Sequence, residues 1–235
     1  MSNLLERLKS SFFFLILIIG TLAIPQLFIL HQIIFALFGA TAICEIYFAH
    51  KNPQRTIGPN EARATDVVLV EELAIIIFGT IAYCGFERQQ IIAIQIGVIA
   101  CDTMAYVIGK LIGHKLISAK PFPNVSPNKS FEGTIGGVIC SGLILWAWFS
   151  WQSNALMTTR WTKIAIFTIG TLTVIGDLAG SFIKRRLDIK DSNECAVHYP
   201  LLRYLGWPMA GFGGCLDRFD SVYFVSLMLS PLTMP

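Results

Sequence analysis

The chain has 235 residues, 54% of them hydrophobic and only 14% charged, where a water-soluble globular domain carries about 25% charged residues. One core of this size cannot hide so much apolar surface from water, which excludes a soluble globule and makes lipid the solvent. The net charge of +3, from 18 Lys plus Arg against 15 Asp plus Glu, is too weak for a nucleic-acid footprint, so no nucleic-acid partner is expected.

A helix crosses the hydrocarbon core with about 20 predominantly apolar residues. Seven runs of that order follow one another, at 11–30, 32–49, 67–86, 89–109, 132–151, 162–183 and 213–230. The first opens behind Arg7 and Lys9, and residues 3–10 suit a short amphipathic helix along the interface. Its run is long and its small-residue site near Thr21 to Ala23 is poor, so it reads as a retained anchor rather than a cleaved signal. Only Pro25, His31 and Gln32 interrupt the first two runs, which leaves a kinked or re-entrant hairpin open. The six cysteines (Cys44, Cys84, Cys101, Cys140, Cys195, Cys215) show no paired short spacing, which argues for packing residues rather than a zinc site or disulfides. The predicted fold is an all-α integral membrane protein of about seven transmembrane helices, forming one polytopic domain over residues 1–235.

Basic residues supply the orientation, because Lys and Arg in short loops accumulate on the cytoplasmic side. With the N-terminus inside, 15 of the 18 basic residues fall on the cytoplasmic face. Arg88, Arg160 and Lys163 alone fall outside. The tryptophans Trp146, Trp148, Trp151 and Trp161 gather toward that outer interface, as an aromatic belt does.

Acidic residues inside a span are costly and mark a functional site by default. Asp102 lies eight residues before Lys110, or about 12 Å from the cytoplasmic end of its span. Asp177 lies seven residues before Lys184, so both carboxylates are expected at nearly one depth. Asp217 and Asp220 open the last run from the same side, and their i, i+3 spacing sets them on one helical face. Four carboxylates beside two basic loops are what metal-assisted phosphoryl or nucleotidyl transfer requires: oxygen ligands for Mg²⁺, and Lys and Arg to neutralise phosphate.

The loops allow two readings. Ser130 can cap a helix whose first turn holds Glu132, and Lys129 beside that N-terminus favours an anion. Gly133, Gly136 and Gly137 permit close backbone approach to a phosphate, or equally a small-residue packing face between helices. Lys184, Arg185 and Arg186 can contact phosphate or anchor the helix at the headgroups. Glu45, Glu71 and Glu72 read as structural or interfacial, and His31, His50, His114 and His198 as interfacial or loop residues without metal-ligand spacing.

Several of these runs resemble one family. Gly176-Asp177-Leu178-Ala179-Gly180-Ser181-Phe182-Ile183-Lys184-Arg185-Arg186, then Ile189-Lys190-Asp191-Ser192, and later Gly213-Gly214-Cys215-Leu216-Asp217-Arg218-Phe219-Asp220-Ser221, resemble the signature of the phosphatidate cytidylyltransferases, or CDP-diacylglycerol synthases. Asp102-Thr103-Met104-Ala105-Tyr106 with Gly109, and the stretch from Ser126 to Gly137, are similar to that family's upstream motifs in the same order. The resemblance covers the motif region, 91–235; residues 1–90 share only its hydrophobic character.

The resemblance implies transfer of CMP from CTP to phosphatidic acid, with release of pyrophosphate, at the cytoplasmic face of a membrane, a bacterial inner membrane being the expected one. It implies Mg²⁺, with K⁺ in some members. Carried over by position, Asp177, Asp217 and Asp220 become metal ligands, and Asp177, Asp217 and Lys184 the catalytic set. Ser181, Arg185, Lys190, Asp191, Asp102, Lys129, Glu132, Gly133 and Arg218 become substrate contacts. The family's dimers make a homodimer one state open to this chain.

Two departures stand out. Phe212 occupies the place of the family's histidine, and residues 194–207, with His198 and Arg203, are inserted between the last two motifs. They keep open a family member with weakened catalysis or a different lipid-phosphate substrate. A cation-coupled transporter is a further alternative; it calls for carboxylates spread through the membrane depth, whereas here they gather near one face.

Overall fold

The structure is a computed structural model and describes residues 16–50, 59–113, 115, 117, 119–123, 125–152, 159–187, 189 and 214–232, with backbone alone at 59–65. Every regular element among the described residues is helical. In lipid this is the economical solution, because a helix satisfies its own backbone N–H and C=O groups. In chain order the helices are α1 (16–23), α2 (Phe28–His50), α3 (Pro59–Gly85), α4 (Arg88–Ile112), α5 (Phe131–Gln152), α6 (Arg160–Arg186) and α7 (Leu216–Leu229). Five stretches are long and apolar enough to cross a membrane: Pro25–His50, Asp66–Gly85, Arg88–Ile112, Phe131–Gln152 and Arg160–Arg186. The chain is therefore a multi-pass membrane protein, all-helical in its regular elements among the described residues. The run at 11–30 lies partly outside the described residues, and α7 has 14 residues, about 21 Å of helix.

The first interruption falls at Pro25, and there alone. Ile24, ahead of the proline, is extended at φ −95° and ψ 111°, and Pro25 opens a 3-10 turn, Pro25–Leu27, leading into α2. His31 and Gln32, expected to separate two runs, lie inside α2. Both have found partners: His31 shares hydrogen bonds with Thr21 Oγ1 (2.9 Å) and Tyr83 OH (2.8 Å), and Gln32 Nε2 donates to the Cys84 carbonyl (2.8 Å). A polar side chain with its hydrogen bonds made can stay within a span. His31 is thus a buried core histidine rather than an interfacial one.

The chain divides into two compact units, residues 1–84 with 182–220, and residues 85–181 with 221–235. In the first, Phe35 stacks on Tyr83 at 3.6 Å between ring centroids, and Phe219 of α7 packs against Phe35 (5.5 Å) and Phe38 (5.2 Å). In the second, small residues let helices approach closely. Ser141 Oγ on α5 donates to the Gly97 carbonyl on α4 (2.8 Å), Cys101 Sγ donates to the Gly170 carbonyl on α6 (3.4 Å), and Ser221 Oγ donates to the Thr173 carbonyl (3.2 Å). Trp146 and Trp151 are exposed near the end of α5, whereas Trp161 is buried, edge-on to Phe86 and Phe149.

Candidate functional site

In the unit holding residues 85–181, the start of α5 is built by its own sequence. Ser130 Oγ accepts the Gly133 N–H at 3.1 Å, the N-cap bond its position predicts. The Glu132 carboxylate accepts the Ile117 N–H at 2.8 Å and so ties the preceding loop to the helix. This fixes Lys129, one residue before the cap, whose ammonium forms an ion pair with Asp177 on α6. Asp102 on α4 lies within electrostatic range of both members of the pair.

Gly133 and Gly137 serve the helix contact. A Cβ on Gly133 would stand 2.7 Å from the Ala105 carbonyl oxygen, and one on Gly137 2.7 Å from that of Cys101. The packing alternative therefore describes their positions. Ser181, at the end of this unit's first segment, is half-buried.

The other unit holds the last turn of α6 and the first of α7. Lys184 is buried, and its Nζ donates to Asp217 Oδ1 at 2.5 Å. The other oxygen, Asp217 Oδ2, accepts the Gly214 N–H at 2.9 Å. The α7 N-terminus carries a second carboxylate from far away in sequence: Glu45 Oε1 accepts the Cys215 N–H (2.8 Å), and Oε2 the Leu216 N–H (3.1 Å). Two acids at one helix start satisfy orphan N–H groups and meet the positive end of the helix dipole. Asp220 is buried on the next turn, and Arg218 is exposed. Glu72 of α3 is buried, with Lys184 in electrostatic range, whereas its neighbour Glu71 is exposed.

The three basic residues closing α6 have separate fates. Lys184 turns inward. Arg185 donates to the Ile189 carbonyl at 3.5 Å, and the Arg186 guanidinium lies 5.1 Å from the centroid of the Phe182 ring. Lys190, Asp191, Phe212, His198, Arg203 and the 194–207 insertion lie outside the described residues. Glu45 and Glu72 are the residues sequence reasoning passed over. Their one signal was an acidic side chain inside an apolar run, which does not reveal whether an amide or an ammonium will meet it.

Among the described residues, each unit pairs a lysine with a motif carboxylate, Lys129 with Asp177 and Lys184 with Asp217. Such a pair offers an ammonium for phosphate oxygens and a carboxylate for a metal cation, provided the two can part.

The sequence matches the cytidylyltransferase family over residues 2–233. Among curated relatives, the phosphatidate cytidylyltransferase of Staphylococcus saprophyticus is 36% identical over 139 residues, covering 56% of this chain and 44% of the relative. That of Staphylococcus haemolyticus is 38% identical over 135 residues with the same coverage. That of Haemophilus influenzae is 33% identical over 126 residues, 52% of this chain and 38% of the relative. The aligned part spans less than half the length of these relatives. No solved structure matches. With the family match running across nearly all of its residues, this chain belongs to the cytidylyltransferase family.

Proposed function

We propose that the chain transfers the cytidylyl group of CTP to phosphatidic acid, forming CDP-diacylglycerol and pyrophosphate. The observation that carries this reading is the pairing of two motif carboxylates with motif lysines, Asp177 with Lys129 and Asp217 with Lys184. The family match and the relatives named phosphatidate cytidylyltransferase supply the reaction class.

In this reading a phosphate oxygen of phosphatidate attacks the α-phosphorus of CTP in line. The bond from that phosphorus to the bridging oxygen breaks, and pyrophosphate leaves with the electron pair. A phosphate monoester has a second pKa of about 6 and is mostly dianionic near neutral pH, so the attack needs no protein base. Lys129 and Lys184 neutralise phosphate oxygens, and Ser181, Arg185, Lys190, Asp191 and Arg218 hold the substrates. Asp102 acts by setting the charge around Lys129 and Asp177, and Glu132 by fixing the loop ahead of Lys129.

Mg²⁺ is the cofactor this chemistry calls for. It takes one or two carboxylates together with substrate phosphates rather than a full protein cage. No cluster of three or more His, Cys, Asp or Glu suited to a metal occurs among the described residues. Asp177 and Asp217 nevertheless each already face an ammonium, so a cation suits these oxygens, and Asp220 is the assisting ligand. When bound, the ion neutralises charge on the transferring phosphate.

Seven spans with the N-terminus inside, and an active site facing the cytoplasm of a bacterial inner membrane, complete the reading. They rest on the sorting of the basic residues. Purified full-length chain given labelled CTP, phosphatidic acid and Mg²⁺ should form CDP-diacylglycerol. CTP binding without product, across several lipid phosphates, would replace this reading with that of a catalytically weakened member. A reporter map placing loop 112–130 outside would overturn the orientation.

A further inference from the structure

We propose that Glu45 is a positioning residue for Asp217: reaching across from α2, it fixes the first turn of α7 and so the place of the Asp217 carboxylate. This rests on the reading of Asp217 as a Mg²⁺ ligand.

Within their shared unit, α2 meets the start of α7 at two points. Glu45, 5% exposed, accepts the Cys215 N–H on one oxygen (2.8 Å) and the Leu216 N–H on the other (3.1 Å). One turn on, the Phe219 ring stacks on Phe38 at 5.2 Å between centroids and stands edge-on to Phe35 at 5.5 Å. The turn is closed between these points, since the Cys215 carbonyl accepts the N–H groups of Arg218 and Phe219, both at 3.2 Å. Phe35, Phe38 and Glu45 fall within about 80° of one another around α2 and so form one face. Asp217 lies two residues before Phe219, about 200° around α7, so the ring is gripped on the side away from the carboxylate. Asp217 itself engages Lys184 and the Gly214 amide.

The amides at a helix start can be satisfied by an uncharged cap within one turn, as Ser130 does on α5. Such a cap leaves its helix free to rotate or slide against its neighbours. A carboxylate on another helix does not. Two oxygens of one rigid plane on successive amides set both the height and the rotation of the turn, and the Phe219 stack resists a pivot about them. An acid inside an apolar run is costly, and a local uncharged cap avoids that cost. What the remote acid adds is the tie between helices. That tie bears on Asp217, because α7 has only 14 residues and carries this carboxylate in its first turn. Groups that orient a metal's ligands change metal affinity or activity by about 10–100-fold when removed. Glu45 has an amide on each oxygen, so it acts through the turn and not on the cation.

The test follows the full chain in detergent by two readouts. One is the Mg²⁺ concentration at half-maximal thermal stabilisation, with no substrate present; the other is kcat for CDP-diacylglycerol formation below every variant's melting range. Glu45→Gln, which keeps the shape and one carbonyl acceptor, should raise the first and lower the second by about tenfold or more. Phe38→Leu, which leaves Glu45 intact and removes the stack on Phe219, should move both in the same direction by a smaller factor. It carries the test if the glutamine variant fails to fold. Tyr83→Phe removes the bond to His31 in the same unit and should lower the melting temperature while moving neither readout. A wild type that responds to Mg²⁺, with a Glu45→Gln variant that melts lower but moves neither readout, would overturn the proposal alone, in favour of a purely structural cap. Shifts as large in Tyr83→Phe would overturn it in favour of a general loosening of the unit. A shift in Glu45→Gln with none in Phe38→Leu would overturn it in favour of direct contact between Glu45 and the cation. A wild-type chain whose melting ignores Mg²⁺ would remove the reading of Asp217 as a ligand, and this proposal with it. The midpoint decides by itself if the wild type forms no CDP-diacylglycerol, an outcome that would overturn the reaction and not the positioning.

Discussion

Lys129 and Asp177 pair at side-chain exposures of 25% and 33%, whereas Lys184 and Asp217 pair at 11% and 12%. The first pair joins a loop residue to a helix. The second joins two helices, and one of its acid's oxygens is also held by the Gly214 amide. The same two residue types thus have different physics. An exposed pair is worth about 0–1 kcal/mol and is readily exchanged for another ion. A buried pair contributes little net stability, yet removing one partner strands the other and costs about 3–5 kcal/mol. The less buried pair suits exchange for another ion, and the buried one suits a role in which fold and chemistry are coupled.

The largest expected effect tests that contrast. Asp217→Ala should lose about 3–5 kcal/mol of stability because it removes one member of a buried ion pair, whereas Asp177→Ala should lose about 1 kcal/mol or less. Both should lose the proposed turnover. Denaturant titration in detergent alongside the CTP assay separates the two losses. Asp217→Asn, which keeps an acceptor for the Gly214 amide, should recover part of the stability but not the activity. Equal stability losses for the two alanine variants would break the comparison.

Next comes a contrast of caps. The α5 start is capped by Ser130, three residues from the amide it binds, and the α7 start by Glu45, 170 residues from Cys215. Glu45→Ala should cost about 3 kcal/mol, since it orphans two amides bonded to a charged acceptor, and Ser130→Ala about 1 kcal/mol. Glu45→Gln, with one carbonyl acceptor left, should fall between. A melting series on the three variants reads the order directly. If Ser130→Ala proved the costlier, the start of α7 would be held by something other than Glu45.

That pair of caps also explains what was legible in the sequence. Ser130 was readable because an N-cap and the amides it serves lie within one turn. The helices were readable because apolar runs of span length have one stable form in lipid. That Asp102 and Asp177 feel one another's charge is in keeping with counting residues back from the lysines at the helix ends. The roles of Glu45 and His31 were not legible because their partners, the amides of Cys215 and Leu216 and the Tyr83 hydroxyl, arrive only through the fold. His31 and Gln32 looked like a break for the same reason: a polar residue signals an interruption only while its partners are unknown. The glycines were legible in place but not in purpose. Gly133 and Gly137 suit a phosphate loop and a packing face equally, and the distances to Ala105 and Cys101 identify the packing face.

The smallest expected effect on stability is the most informative about chemistry. Lys129 sits between the Ser130 cap and a partner at one-third exposure, so Lys129→Met should change stability by no more than about 1 kcal/mol. Its effect on the proposed transfer should be far larger. A lysine that neutralises a substrate phosphate supplies a charge-assisted bond of about 1.5–3 kcal/mol, so kcat/KM for CTP should fall by about 10–100-fold. The loss should shrink as ionic strength rises, because salt screens a half-exposed charge in the wild type and has none to screen at that position in the variant. Asp177 gains freedom when Lys129 is removed, so Mg²⁺ should bind no more weakly than in the wild type. Steady-state kinetics at several salt concentrations, with a melting curve for each protein, separates these quantities. A variant that melts well below the wild type while its CTP kinetics stay unchanged would make Lys129 a scaffold residue. The distinction between an exchangeable pair and a coupled one would then have to rest on Lys184 and Asp217 alone.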